Sequence, residues 1–572
     1  MRTDPEKINR KLIKKQRIVR VAAGEEKADL VLKNATYLNV FSNEFCFGDI
    51  AVAEGLIVGM GEYSGAVEYD MSDRIVLPGF IDAHIHLEST LVSPAEFARA
   101  VLPHGTTTVI VDPHEIANVM GTEGIDYMLA ACEGLPIDVH FMLPSCVPAT
   151  PQDESGATLG WEALDPYFEH RRVLGLAEMM NYVGVAAAQA EPIEKIVLSQ
   201  AHHKKIDGHA PGLSGKALNA YVAAGVYSDH ECSTLENALE KLRLGQFIMI
   251  REGTAARNLR ALLPLLNQQR MDRCMFCSDD KHPNDLLHGG HIDFIIRNAI
   301  SMGVDPVVAT KVASHSAARY FLMNNKGAIA PGYLADFAVI DNFRDFRVCQ
   351  VFKKGKLVCD GQALPFDPPL IDPRLEARAR DTFHVAPVSA ATFAVDAPLG
   401  IIELVPGEIL THNGGRAETA DPAADVLKIA VVERHHATGH VGLGFIRGYG
   451  LQRGAVATSV AHDSHNIICV GASDADMAFA VNRVVDNHGG IVVVCDGKVV
   501  AELALPVAGL VSDLPLGDVD ARLEQAKDAA YALGVSRGID PFMTLSFISL
   551  PVIPELRLTT HGMLDVATQQ YI

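Results

Sequence analysis

The sequence predicts an α/β protein: a (β/α)8 TIM-like barrel with a split small β-sandwich domain and an additional C-terminal α/β domain. Three observations carry this. Residues 78–325 alternate short apolar runs with helical patterns, as repeated βα units around a parallel sheet do. Strand-like stretches flank that region on both sides, at about residues 28–77 and again after 330. Beyond the Pro-rich stretch at Pro365, Pro368, Pro369 and Pro373 the composition shifts to Val, Ala and Gly with further strand-like runs, marking a third domain.

In chain order, the first twenty residues carry a basic run, Lys7, Arg10, Lys11, Lys14, Lys15, Arg17 and Arg20. It reads as a solvated helical face or as a patch against an acidic neighbouring subunit. Short strands are expected at Ala28–Leu32, Asp49–Val52 and Leu56–Met60, the last two joined by a Glu54-Gly55 turn. The eight barrel strands are expected at Gly79–Ala83, Thr107–Val111, Asp138–Leu143, Val173–Leu176, Lys205–Asp207, Gly225–Tyr227, Phe247–Ile250 and Arg273–Cys277. Eight units in about 250 residues match such a barrel. Ser93-Pro94-Ala95-Glu96 forms a capping box with Pro at the first helical position, and Gly105 follows the last turn. Leu235, Leu239 and Leu242 recur at helical spacing. A second β stretch, Asp336–Ile340 and Val348–Val358 with a Lys354-Gly355 turn, is expected to complete the first. In the last domain, Ile491–Val494 and Val499–Leu503 form a hairpin through Asp496-Gly497. The expected divisions are 1–77, 78–328, 329–375 and 376–572.

The 572 residues exceed one hydrophobic core, and 48% apolar with 21% charged residues is a globular composition. Lys plus Arg number 49 against 70 Asp plus Glu, a net charge of −21, which opposes docking on nucleic acid. No apolar stretch is long enough to span a bilayer, and the basic run precedes no secretory apolar segment. The ten Cys show no paired spacing, and Cys274-x-x-Cys277 reads as two small residues on a buried strand rather than a redox or zinc pair. A cytoplasmic protein with reduced thiols is expected.

The chemistry lies at the strand ends. Asp82-Ala83-His84-Ile85-His86 places both imidazoles on one side of an extended chain, able to converge on one ion, with Glu88 close behind. The next strand ends run into Asp112-Pro113-His114-Glu115, Glu178, His209, His230, Arg251-Glu252 and Asp279-Asp280, at the face where barrel active sites lie. Each has a bland alternative: Glu178 as a surface carboxylate, His209 as a loop residue, Asp279-Asp280 as a helix cap. Taken together, those alternatives demand coincidence at every strand end.

Val76-Leu77-Pro78-Gly79-Phe80-Ile81-Asp82-Ala83-His84-Ile85-His86 and Gly327-Ala328-Ile329-Ala330-Pro331-Gly332-Tyr333-Leu334-Ala335-Asp336 resemble the metal-dependent amidohydrolase superfamily. Many binuclear members bridge their ions with a carboxylated Lys at the fourth strand, whereas this chain reads Gly175-Leu176-Ala177-Glu178-Met179-Met180. Glu178 is similar to the bridging carboxylate of the adenine deaminases. Asp207-Gly208-His209-Ala210-Pro211, Ser228-Asp229-His230-Glu231 and Cys277-Ser278-Asp279-Asp280 look like that family's segments too.

The resemblance implies two divalent ions, His84, His86 and Asp279 holding one, His209 and His230 the other, with Glu178 bridging. Mixed O and N ligands suit manganese, iron or zinc, and availability decides much of the choice; manganese or ferrous iron is expected first, then zinc. It implies deamination of adenine to hypoxanthine and ammonia by a hydroxide bridging the ions, with Asp279 deprotonating the water and Glu178 or Asp280 passing protons. Asp112, His114, Glu115 and Arg251 are expected to bind the purine, although Asp112 also suits a turn cap. His435-His436, Arg447 and His462-Asp463-Ser464-His465-Asn466 are read as a covering loop or lid rather than a third metal site. A homo-oligomer, dimer or larger, acting on a small purine base is expected. A cyclic amide hydrolase or amino-sugar deacetylase is the nearest alternative; a silent barrel scaffold is a further one.

Overall fold

The computed structural model describes residues 5–254, 256–406 and 408–572; the first four residues of the expected N-terminal segment lie outside them. A helix, Pro5–Ala22, opens the chain. Three of its basic side chains are paired within the same chain: Lys14 with Glu54 at 3.3 Å, Arg17 with Asp29 and, at 3.0 Å, with Glu54, and Arg20 with Glu26.

The strands at either end of the barrel region form one hydrogen-bonded sheet. Ile75–Pro78, the last strand before the barrel, runs antiparallel to Phe337–Ile340, the first after it, with Val76 opposite Val339. Leu32, Val52, Ile57, Val76, Phe337 and Phe352 bury that sheet's apolar face. Its hairpins turn at Glu54-Gly55 and Lys354-Gly355, where all four residues have φ between 48° and 76°. This is the handedness that matches the twist of the flanking strands.

Between them lie eight parallel strands in two arcs. The first arc is Phe80–Ile85, Thr106–Val111, Asp138–Leu143, Val173–Met179 and Lys205–Gly208. The second is Ser228–Asp229, Phe247–Arg251 and Cys274–Cys277. Single links join the arcs. Tyr227 N donates to Ile206 O at 2.9 Å, and a parallel bridge ties Ile85 to Asp279. Asp82 reinforces the second seam, accepting from Ser278 N at 3.1 Å and lying 2.9 Å from His291 Nε2.

Two local expectations need correction. The sixth strand is Ser228–Asp229 rather than Gly225–Tyr227: Gly225 has φ 108°, so the apolar Val226 and Tyr227 belong to the approach. The capping box is half made. Ser93 Oγ accepts from Glu96 N at 3.3 Å, but the Glu96 carboxylate goes to Arg99 and to Leu516 N, 3.1 Å away in the last domain.

After Asp372 caps the helix Pro373–Arg380, an eight-stranded sheet runs in the order Thr411–Ala417, Leu399–Leu404, Val441–Arg447, Leu427–Val432, Ile467–Gly471, Ala455–Thr458, Gly490–Cys495, Lys498–Ala504. Asp496 and Gly497 (φ 52° and 69°) make the two-residue turn of its last hairpin. Helices Asp474–Asp486 and Leu516–Ala532 pack on this sheet. Among the described residues no helix is long and apolar enough to cross a membrane, and all ten Cys are free thiols.

Candidate metal centre

The period of two along Phe80–Ile85 carries Asp82, His84 and His86 onto one face, and His84 Nε2 and His86 Nε2 stand 3.2 Å apart. Both are buried. Glu178, near the end of Val173–Met179, divides its carboxylate between two pairs of imidazoles. Its Oε1 lies 3.7 Å from His84 Nε2 and 3.3 Å from His86 Nε2. Its Oε2 lies 2.7 Å from His209 Nδ1 and 3.1 Å from His230 Nε2. Asp279 closes the first pair, with Oδ1 3.3 Å from His86 Nε2 and 3.9 Å from His84 Nε2. At φ 59° its backbone is left-handed, which Asp tolerates better than most residues and which ends the strand.

Converging imidazole nitrogens about a carboxylate suit a divalent cation, and separations near 3.2 Å are those of neighbouring ligands on an ion bound at about 2.0–2.2 Å. A carboxylate with one oxygen toward each pair supplies the bridge between two such positions. Burial works against the Glu178 and Asp279 anions, yet His230 and Arg251 respectively hold both carboxyls well below their ordinary range. Arg251 Nη1 and Nη2 are engaged by Glu231 at 2.5 and 3.1 Å, and Nη1 also by Asp279. Asp280 is held by Ser89 Oγ and lines the cavity above the centre.

The segment after Thr106–Val111 divides its polar groups. Asp112, expected to read the purine, is not among the cavity-lining residues. Its carboxylate accepts from His114 N at 3.1 Å and faces His114 Nδ1 at 2.9 Å, the turn-capping alternative. His114 and Glu115 do line the cavity, but Glu115 is occupied: Oε1 meets His462 Nδ1 at 2.5 Å and Oε2 meets His465 Nε2. Glu88 lies buried behind, accepting from Ile116 N at 3.2 Å, and burial pushes its carboxyl up to about 7.

Those two histidines belong to the last domain, so the cavity is roofed from there. His462, Asp463, Ile409, Leu410, Phe547, Leu550 and Ile553 face the barrel mouth, and the His462 and Phe547 rings stack at 4.8 Å. Ala461 N donates to His465 Nδ1 at 3.2 Å, so the His465 proton sits on Nε2 and points at Glu115. That pattern lets the three side chains act as a hydrogen-bonded clasp, and their ligand atoms also lie within 4.8 Å of one another. His435 and His436 brace the loop and the barrel, contacting Ser464 O at 2.7 Å and Ser155 O at 3.2 Å. Arg447 is remote, on Gly414 O at 3.4 Å. Sequence reasoning assigned no role to Glu231, although it adjoins His230 and stands 3.3 Å from that ring's Nε2. The apolar roof carried no local signal.

A family model described as the amidohydrolase family matches residues 75–358, and one described as the adenine deaminase C-terminal domain matches residues 407–570. The chain is 48% identical over 564 residues to an adenine deaminase of Desulfatibacillum aliphaticivorans, covering 96% of this chain and 97% of that protein. It is 47% identical to adenine deaminase 2 of Carboxydothermus hydrogenoformans, covering 96% and 98%. It is 45% identical to an adenine deaminase of Kosmotoga olearia, covering 97% and 98%.

Proposed function

The chain belongs to the adenine deaminases within the amidohydrolase family, and on that premise we propose that its barrel-mouth site hydrolyses adenine to hypoxanthine and ammonia. The observation that carries the site assignment is the divided carboxylate of Glu178, one oxygen toward His84 and His86 and the other toward His209 and His230. With Asp279, these residues would hold two divalent ions; their mixed O and N donors suit manganese, ferrous iron or zinc, of which we take manganese or ferrous iron first. Such ions supply an activated water and a Lewis acid beside the substrate carbon.

The chain's own groups do the rest. Asp279, fixed by Arg251 on one oxygen, orients and deprotonates the attacking water. Asp280, anchored by Ser89, carries protons to ring N1 and to the departing amino group, which must leave as ammonia. Phe547, Leu550 and Ile553 cover the flat faces of the base and exclude water, and His114 faces its polar edge. Arg251 and Asp112 act by holding Asp279 and His114 in place.

We read the two strand arcs as one closed (β/α)8 barrel over 78–328. The sheet formed from 1–77 and 329–375 is then one split domain, and 376–572 a third domain that roofs the site. A homo-oligomer in the cytoplasm belongs to the same reading. The test is ammonia release from adenine by apo-protein reconstituted with zero, one and two equivalents of manganese or ferrous iron. Activity that needs two equivalents and falls more than about 100-fold in Glu178→Gln, with at most one ion retained by that variant, supports the reading. Full loading without turnover refutes it in favour of a cyclic amide hydrolase.

A further inference from the structure

Asp463 sits in the loop between Ala455–Thr458 and Ile467–Gly471, is 2% exposed, and lines the cavity. Its Oδ1 lies 3.8 Å from His114 Nε2, and its Oδ2 has no hydrogen-bond partner. A buried carboxylate oxygen left unpaired costs free energy, so its retention calls for a partner that arrives with a ligand. Rotation toward solvent would not relieve it, because the loop is pinned on both sides. His462 N donates to Ser546 O at 2.8 Å and Ser549 Oγ donates to His462 O at 3.2 Å, while Asn466 Nδ2 donates to Glu154 O at 2.7 Å.

Other cavity carboxylates are already engaged: Glu178 by imidazoles, Glu115 by the clasp, Glu231 and Asp279 by Arg251. Asp463 and Glu178 stand on opposite sides of the His114 ring, whose Nδ1 is 3.6 Å from Glu178 Oε1. A purine whose C6 faces Glu178 turns its five-membered ring away from that carboxylate, toward the roof. Burial, opposed by His114 and reinforced by Glu115, pushes the Asp463 carboxyl up to about 6, which leaves it an ionised acceptor at neutral pH.

We propose that Asp463 is a specificity residue: its free Oδ2 accepts a hydrogen bond from the imidazole N–H of the free purine base, a donor that an N9-substituted purine lacks. The inference rests on reading the cavity as an adenine site. The last domain then selects the substrate as well as covering it.

The test compares adenine with 9-methyladenine in the metal-loaded full-length enzyme and in its Asp463→Ala variant, with bound metal counted in each. The wild type is expected to favour adenine by at least about 10-fold in kcat/KM. Asp463→Ala is expected to keep its metal, lose about 10- to 100-fold on adenine, chiefly through KM, and lose the discrimination between the two bases. A residue that only shaped the loop would lower both bases alike. Asp463→Asn, which keeps an acceptor oxygen, is expected to retain the discrimination. A wild type that handles both bases equally overturns the inference even should the variants fail to fold. An Asp463→Ala protein with full adenine activity, or with intact discrimination, also overturns it while the deaminase reading stands, as does an Asp463→Asn protein that loses the discrimination. A metal-loaded wild type inert on adenine overturns both.

Discussion

Replacing Glu115 by Gln tests whether the roof is held down by the clasp. Both partners present protons to the carboxylate. His465 does so because its Nδ1 accepts from Ala461 N. Burial works against the His462 cation, but Glu115 outweighs it and carries that imidazole up to about 9. A Gln side chain satisfies one of these donors and turns its own N–H group on the other. The loss is one charge-assisted hydrogen bond plus a mismatched buried donor, together about 2–4 kcal/mol. A protein of several domains has no single unfolding free energy, so the measurement is local: hydrogen exchange of the Asp463–Asn466 amides in the metal-loaded enzyme. Protection is expected to fall roughly 30- to 1000-fold. The raised His462 value makes its contribution fully present below its ordinary 6.5 and lost as pH rises through about 9. Wild-type protection should therefore weaken between pH 8 and 10 beyond the intrinsic pH effect on exchange, while the variant's does not. Equal protection in the two proteins at pH 7 would refute the clasp.

Asp280→Asn is expected to keep both ions and a near-normal KM while kcat falls about 100- to 10,000-fold, read by steady-state kinetics with metal analysis; an unchanged kcat would remove Asp280 from proton transfer. Away from the site, the buried Lys353 lies 2.7 Å from Asp138 and 2.6 Å from Asp336, and Lys326 pairs with the same two carboxylates. Asp138→Asn leaves two buried cations on one carboxylate and should destabilise the barrel against the small sheet by about 3–5 kcal/mol. The readout is a lowered thermal midpoint with activity retained at low temperature.

What the amino-acid order disclosed follows the range of each interaction. The strand runs, the Asp496-Gly497 turn and the His84-x-His86 pair are set by neighbours a few residues apart, and periodicity reports them directly. The sixth strand, Ser228–Asp229, lies beyond the apolar run because Val226 and Tyr227 satisfy the pattern while Gly225 turns the backbone. Asp112 and Glu115 share a segment with His114, yet one caps a turn and the other grips histidines some 350 residues away. No local pattern distinguishes those fates. The same holds for Asp463 and Phe547, whose place over the centre depends on how the last domain docks.

The pairing of Ile75–Pro78 with Phe337–Ile340 also sets a schedule for synthesis. One edge of that early strand stays open until some 260 further residues have been made, about 13–50 s at 5–20 residues per second. An unpaired β edge is a template for unwanted association, so the nascent chain is most exposed while its barrel is being built. Chaperone demand should peak in that interval and end when residue 340 clears the ribosome.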